Sequence, residues 1–216
     1  LLELAVKQSK SGIAMSFDGS TEGLERFKLN HGIASGLHIY DSDLETWNVP
    51  IVKKCLEKQD FVLMEWAKRD RGLIYKPKEK SKKNSIYEFL GQRLVTRQSG
   101  SGSDNYFKYI CKRENINSSD FIGTEVTYSE NDAVSLILSD NADVTLGLAS
   151  EAKKHQLGFL HIATERFDIV VNRISWFEKP FQRLLSFSRS DDFLNTASNF
   201  FGYNINDLGT VHFNNK

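Results

Sequence analysis

Residues 97–110 read RQSGSGSDNYFKYI, a tract of three serines and two glycines that leaves the strand-like run RLVTRQ (93–98) and opens an aromatic-rich helical run. Such a tract is a flexible linker, a loop that cradles phosphate, or a row of donors aimed at an anion. A simple N-cap needs one Ser or Thr, so the surplus of small polar residues asks for more than capping. Its setting, strand then turn then helix, is the theme the rest of the chain repeats.

Before it, residues 1–10 (LLELAVKQSK) have the spacing of an amphipathic helix, and IAMSFDG (13–19) alternates like a strand ending in a turn. TEGLERFKLN returns to helical spacing, HGIASGLHIYD reads as a Gly-bounded strand, VPIVKKCLEKQ as a helix and DFVLMEWAKRDRGLIYKP as a long apolar strand. After it come the strand GTEVTY, the helix SENDAVSLILSD, the strand ADVTLGL and the helix ASEAKKHQ, with SIYEFLGQ a short helix upstream. FLHIATERFDIVVNRISWF reads as two strands broken around 164–167. The chain ends in the helices FQRLLSF and DDFLNTASNFF, the second closed by Gly202. Alternation of this kind predicts an α/β fold with a mostly parallel sheet. The polar, Lys-rich KPKEKSKKN (76–84) reads as a solvated loop and a seam, and ATERF as the place where the chain crosses back.

The 216 residues carry 28 Lys plus Arg against 28 Asp plus Glu, so net charge offers no attraction to nucleic acid or an anionic membrane, and a charged ligand has to be caught locally. Cys55 and Cys111 lie far apart and read as two unpaired thiols. No apolar run is long enough to span a bilayer, and no signal-peptide pattern is present. The first residue is Leu1, so a fragment or processed product is expected.

Three helices start just after a strand with Gly, Ser or Thr in the first turn: DGSTEGL (18–24), RQSGSGS (97–103) and TYSEND (127–132). A helix start leaves about four backbone N–H groups without intrahelical partners and carries partial positive charge, which suits anions. The plainer account makes all three caps, and Ser129 with Asp132 fits a capping box. No GxxxxGK[ST], G-x-G-x-x-G or G-x-S-x-G pattern occurs. The five His residues (31, 38, 155, 161 and 212) show no metal-ligand spacing, so no metal and no cofactor are expected. His38 either donates to a ligand at the sheet edge or is structural, and Arg97 either adds charge to the site or pairs on the surface.

Several segments together resemble one family: GSTEGL, SGLHIYDSDLETWNVPIV, RDRGLIYKP, LVTRQSGSGS, ADVTLGL, LGFLHIATERFDIVV and DDFLNTASNFFGYNINDLGTV. They are similar to the periplasmic-binding-protein-like substrate-binding domain of the molybdate-binding type, which occurs alone or behind a helix-turn-helix domain. The resemblance implies a two-lobed type II periplasmic-binding-protein fold, like the effector domains of LysR-type regulators, each lobe a mostly parallel sheet flanked by helices. Residues 1–75 plus 164–216 would form lobe one and 76–163 lobe two. The family begins with a strand and a Ser-containing turn ahead of its first helix, whereas this sequence starts inside that helix.

With the resemblance, the helix starts become the two halves of an anion clamp. The assigned ligand groups are Ser20 and Thr21, then Gln98, Ser99, Gly100, Ser101 and Gly102, then Ser129 with Asn131, and Gly147 as a residue that leaves room. The function expected is non-enzymatic binding of a small anion such as molybdate, closing between lobes to signal to a transporter or to an attached helix-turn-helix domain. This segment itself is expected neither to bind nucleic acid nor to insert in a membrane, and a cytoplasmic place is preferred to a periplasmic one. The alternatives are a small organic anion as ligand, or an enzyme of the same fold with Glu65, Glu165 or Asp168 as general base. An ion-paired hinge is the more ordinary account of Glu165 and Asp168 in ERFD.

Overall fold

The computed structural model describes residues 1–17, 19–77 and 82–214. The chain divides into two compact units, residues 1–68 with 166–216, and residues 69–165. The division falls inside a strand and not at KPKEKSKKN, whose residues 78–81 lie outside the described residues. Polarity suggested the seam, but the chain passes between units in a strand that is buried along almost all its length.

Unit 1 opens with α1 (Leu2–Gln8) and α2 (Ser20–Lys28), followed by β1 (Ala34–Leu37), the short hairpin β2 (Tyr40–Asp41) and β3 (Thr46–Trp47), and α3 (Val49–Cys55). β4 (Phe61–Tyr75) then carries the chain into unit 2. There β5 (Arg93–Arg97), α4 (Gly102–Arg113), β6 (Ile122–Thr127), α5 (Glu130–Leu138), β7 (Val144–Leu148) and α6 (Ala149–Lys154) alternate as the sequence predicts. β8 (Gly158–Asn172) returns the chain to unit 1, where α7 (Arg173–Phe177), α8 (Lys179–Phe187), α9 (Asp191–Ser198), β9 (Tyr203–Asn204) and β10 (Val211–Asn214) complete it.

Three expectations are corrected. β8 is one continuous strand of 15 residues, not two broken around 164–167. Ile13–Phe17 joins no ladder, because alternation makes a strand only where a partner backbone is in reach. The sheets are mixed: β5 runs parallel to β6 and β7, but β7 is antiparallel to β4, and in unit 1 both β1 against β8 and β10 against β4 are antiparallel. Parallel neighbours need a crossover helix, which α4 and α5 supply; β4 and β8 arrive as connecting passes instead.

Alternation along the strands builds the core of unit 1. On β4, Phe61 and Leu63 face Leu24 and Phe27 of α2, Val52 of α3 and Leu56 at its C-cap, while Met64 and Trp66 join Ala5, Val6, Phe181, Leu184 and Phe193 of α1, α8 and α9. Helices therefore cover both faces of this sheet. In unit 2, Ile74 and Val95 pack against Ala133, Val134 and Ile137 of α5 and Ala152 of α6. Cys55 and Cys111 are free thiols, and α9 ends at Ser198 with Asn199 as its C-cap, before Gly202. Among the described residues no helix is long and apolar enough to cross a membrane.

Candidate functional site

In unit 2 the RQSGSGS tract forms an ordered turn into α4. Gly100 takes φ +81°, where an L side chain would be strained, and its N–H donates to Asp104 Oδ2 at 3.0 Å. The Ser101 N–H donates to the Gln98 carbonyl at 3.1 Å, and Ser101 Oγ, the N-cap, accepts from the Asp104 N–H at 3.2 Å. Gly102 and Ser103 follow as buried residues whose amides have no hydrogen-bond partner among the described residues. Buried main-chain donors are nearly always paired, so these two point to a ligand or an ordered water.

Arg71 connects this turn to the next. It is 1% exposed; Nη1 donates to Ser103 Oγ at 3.1 Å and Nη2 to Glu130 Oε1 at 2.8 Å, while Nε bonds Glu165 Oε2. Arg69 holds the other oxygen of Glu165. One guanidinium thus gathers the first turns of α4 and α5 around a buried ion-pair cluster. Burial alone would push the Glu130 carboxyl up, yet Arg71 and Arg69 outweigh it and hold the group below its ordinary value. Burial lowers the Arg97 guanidinium, assisted by Arg71 and opposed by Glu130. Arg97 Nη2 donates to the Tyr128 carbonyl at 2.6 Å, and its Nε has no partner among the described residues.

The remaining residues assigned in unit 2 divide. Ser99 is exposed, and Gln98 keeps a buried Oε1 with no partner among the described residues. Ser129 caps α5 by accepting from the Asp132 N–H at 3.0 Å, and Asn131 is exposed on the first turn. Gly147 is corrected: a Cβ there would meet Ile74 Cδ1 at 2.6 Å, so the space it leaves is filled by core and is not ligand room.

In unit 1, Ser20 is the first residue of α2 and Gly19 is the N-cap, with no side-chain cap. Ser20 Oγ is buried, lies 2.6 Å from His38 Nδ1 and accepts from the His38 N–H at 3.1 Å. Its hydroxyl is therefore engaged by His38, and the donor left at this start is the Ser20 amide, which has no partner among the described residues. Thr21 is exposed beside it. A cavity of about 240 Å³ in this unit, lined by Ile13–Ser16, Gly19, Ala34–Gly36 and the apolar Val6, Phe27 and Phe181, takes in neither Ser20 nor Thr21.

The structure also assembles a group that sequence spacing did not suggest. Donor atoms of Glu65, Asp168 and His212 lie within 4.8 Å of one another. Each is already engaged: His212 Nε2 is 2.8 Å from Glu65 Oε2, and Asp168 receives Arg166 and Asn48 Nδ2. Burial pushes the Asp168 carboxyl up against the pull of Arg166. This is the ion-paired account of ERFD: Glu165 and Asp168 are both locked by arginines. Arg71, Ser103 and Glu130 were missed as site residues. The available signal was the charged RDR (69–71) inside a strand with apolar ends, where a buried guanidinium demands partners.

Residues 1–189 match the family model described as "PBP superfamily domain". The "Uncharacterized protein YvgK" of Bacillus subtilis (strain 168) is 26% identical over 179 residues; the match covers 81% of this chain but 57% of that protein, so this chain spans little more than half of its relative. Among solved structures, a Clostridium perfringens substrate-binding protein with bound phosphate superposes with a TM-score of 0.67 at 12% identity, covering 91% of each chain. The Synechocystis PCC6803 CcmR regulatory domain in complex with 2-PG gives 0.60 at 13% identity over 86% of each chain. The ancestral amino acid-binding protein AncCDT-1, a precursor of cyclohexadienyl dehydratase, gives 0.58 at 12% identity over 93% of this chain and 83% of its own. At these identities the structures speak for the fold, and the family match is what places the sequence. With its α/β architecture, this chain belongs to the PBP superfamily.

Proposed function

We propose that this chain is a non-enzymatic binding domain for a small anion, held by main-chain amides and hydroxyls at helix starts. In unit 2 the donors are the amides of Gly102 and Ser103, the Ser103 hydroxyl and Asn131, with Arg71 and Arg97 behind them. In unit 1 the Ser20 amide and Thr21 are the corresponding donors. The observation that carries the reading is the pair of unpartnered amides at Gly102 and Ser103 beside a hydroxyl fixed by Arg71. Proteins of similar fold that hold phosphate or 2-PG support it, as does the general suitability of helix starts for anions. Differential binding of such a ligand to two conformations would supply a signal to a transporter or to a DNA-binding domain.

An enzyme of the same fold would need a base with an open lone pair. Glu165 is held by two guanidinium groups, which favours the binding role. The test is calorimetric titration with phosphate, sulfate, molybdate and small carboxylates. Saturable one-site binding by at least one is expected, and no binding by any would overturn the reading.

A further inference from the structure

The start of α2 in unit 1 is held by a relay that begins at Asn48. Asn48 is the N-cap of α3, a position where an Asn side chain ordinarily accepts from the first amides of its own helix, yet it makes no cap hydrogen bond there. Its Oδ1 accepts instead from the Ile39 N–H at 2.7 Å, and its own N–H donates to the Ile39 carbonyl at 2.8 Å. Its Nδ2 donates to the Arg166 carbonyl at 3.0 Å and to Asp168 Oδ2 at 2.9 Å, so this fully buried side chain is anchored on β8. The backbone is strained by the arrangement: φ is +60° with ψ −54°, outside the left-handed region that Asn tolerates. Strain of this kind persists only where the surroundings fix it, and it gathers where local geometry matters to function.

Ile39 follows His38, and His38 is the residue that engages Ser20. The His38 N–H donates to Ser20 Oγ at 3.1 Å, and its Nδ1 lies 2.6 Å from the same oxygen. Two consecutive residues therefore link Asn48 to the first residue of α2, whose amide has no partner among the described residues. Resting on the anion-binding reading above, we infer that Asn48 is a positioning residue for the anion: through Ile39 and His38 it sets where the Ser20 amide lies, and it touches no ligand itself. The link that matters is Oδ1 to the Ile39 N–H, because the bonds to Arg166 and Asp168 anchor the side chain without reaching α2. An amide shifted from its place loses the distance and angle on which a hydrogen bond depends.

The experiment titrates phosphate by calorimetry into the full chain as wild type, Asn48→Gly and Asn48→Asp, with amide NMR spectra of each. Glycine suits the positive φ but removes Oδ1, whereas aspartate keeps an oxygen facing the Ile39 N–H and gives up the Nδ2 donor. Asn48→Gly is expected to weaken phosphate by at least about tenfold and to move the Ser20 and His38 amide signals, and Asn48→Asp to stay within about threefold of the wild type with those signals in place. A residue that only stabilises the fold would not separate the two in this way. Wild-type affinity in a folded Asn48→Gly, or an equal loss in both variants, would overturn the inference while the anion-binding reading stands; a wild type that binds neither phosphate nor the other anions titrated above would overturn both. If circular dichroism shows Asn48→Gly unfolded, the wild-type spectra decide. The Ile39 amide and the Asn48 side-chain amide should shift with Ser20 at one midpoint of the phosphate titration, and Ser20 shifting while both stay still contradicts the inference.

Discussion

Arg71 Nη1 donates to Ser103 Oγ at 3.1 Å, joining two residues 32 apart in sequence and tying β4 to the first turn of α4. Through the same guanidinium the first turn of α5 is held by Glu130, so the site rests on a buried cation rather than on loop geometry alone. Such a cation is costly unless every partner is present, which makes its removal informative.

Arg71→Met should destabilise the protein by about 3–5 kcal/mol, the usual cost of removing one member of a buried ion-pair cluster, here the cation shared by Glu165 and Glu130, with Arg69 left as the remaining partner of Glu165. Arg71→Lys should recover only part of this, because an ammonium cannot reproduce the planar fork that reaches Glu165, Ser103 and Glu130 together. Urea denaturation measures both; a loss below about 1 kcal/mol, as for an exposed pair, would show that the cluster is solvated.

Acid stability should reflect two opposed carboxyls. For Glu130, burial raises the carboxyl but Arg71 and Arg69 win, so its folded value lies below the unfolded one. The stability it contributes is present above the ordinary Glu value of about 4.3 and is lost as pH falls through the lowered folded value. Asp168 is the reverse: burial outweighs Arg166 and raises it, so its contribution is present below about 3.9 and lost as pH rises through the raised folded value. Glu130→Gln should therefore flatten the acid limb of a stability profile, and Asp168→Asn should steepen it. Equal slopes in all three proteins would contradict the assignment.

Gly147→Ala should cost about 1–3 kcal/mol of stability through overpacking, because the new methyl meets Ile74 Cδ1. Ile74→Val removes that atom, so the double variant should regain part of the loss in a thermal melt. Ligand affinity should not move, which separates a core glycine from one that makes room for ligand.

What was readable in the sequence was local. Ser129 and Asp132 announce their cap within four residues, and the RQSGSGS turn lies between a strand and a helix whose periods are clear. What was hidden depends on distant partners. Thr164, Glu165 and Arg166 look like a break in β8 until Arg69 and Arg71 of β4 are seen to bury Glu165. Ser20 reads as a free donor until His38, 18 residues on, engages it. Ile13–Phe17 has a strand's pattern, but pairing belongs to the neighbouring backbone and not to the segment.

Ser20→Ala should lower stability by about 1–3 kcal/mol, since it removes the hydroxyl that meets the His38 N–H and Nδ1, and should weaken anion binding less than Ser103→Ala does. Denaturation and titration of the two variants side by side measure this. A larger affinity loss at Ser20 would mean that its hydroxyl contacts the ligand directly.

The central claim is that unpartnered amides at the start of α4 hold the anion, and Gly102→Pro tests it most directly. Proline at the first helical position deletes one N–H while its fixed φ suits the helix, and the preceding Ser101, at φ −66° and ψ 155°, already has the backbone a proline requires. Calorimetric titration with phosphate should show binding by the wild type and a loss of at least about tenfold in the variant, with helix content and melting temperature retained. Undiminished affinity in a folded Gly102→Pro protein would contradict the account.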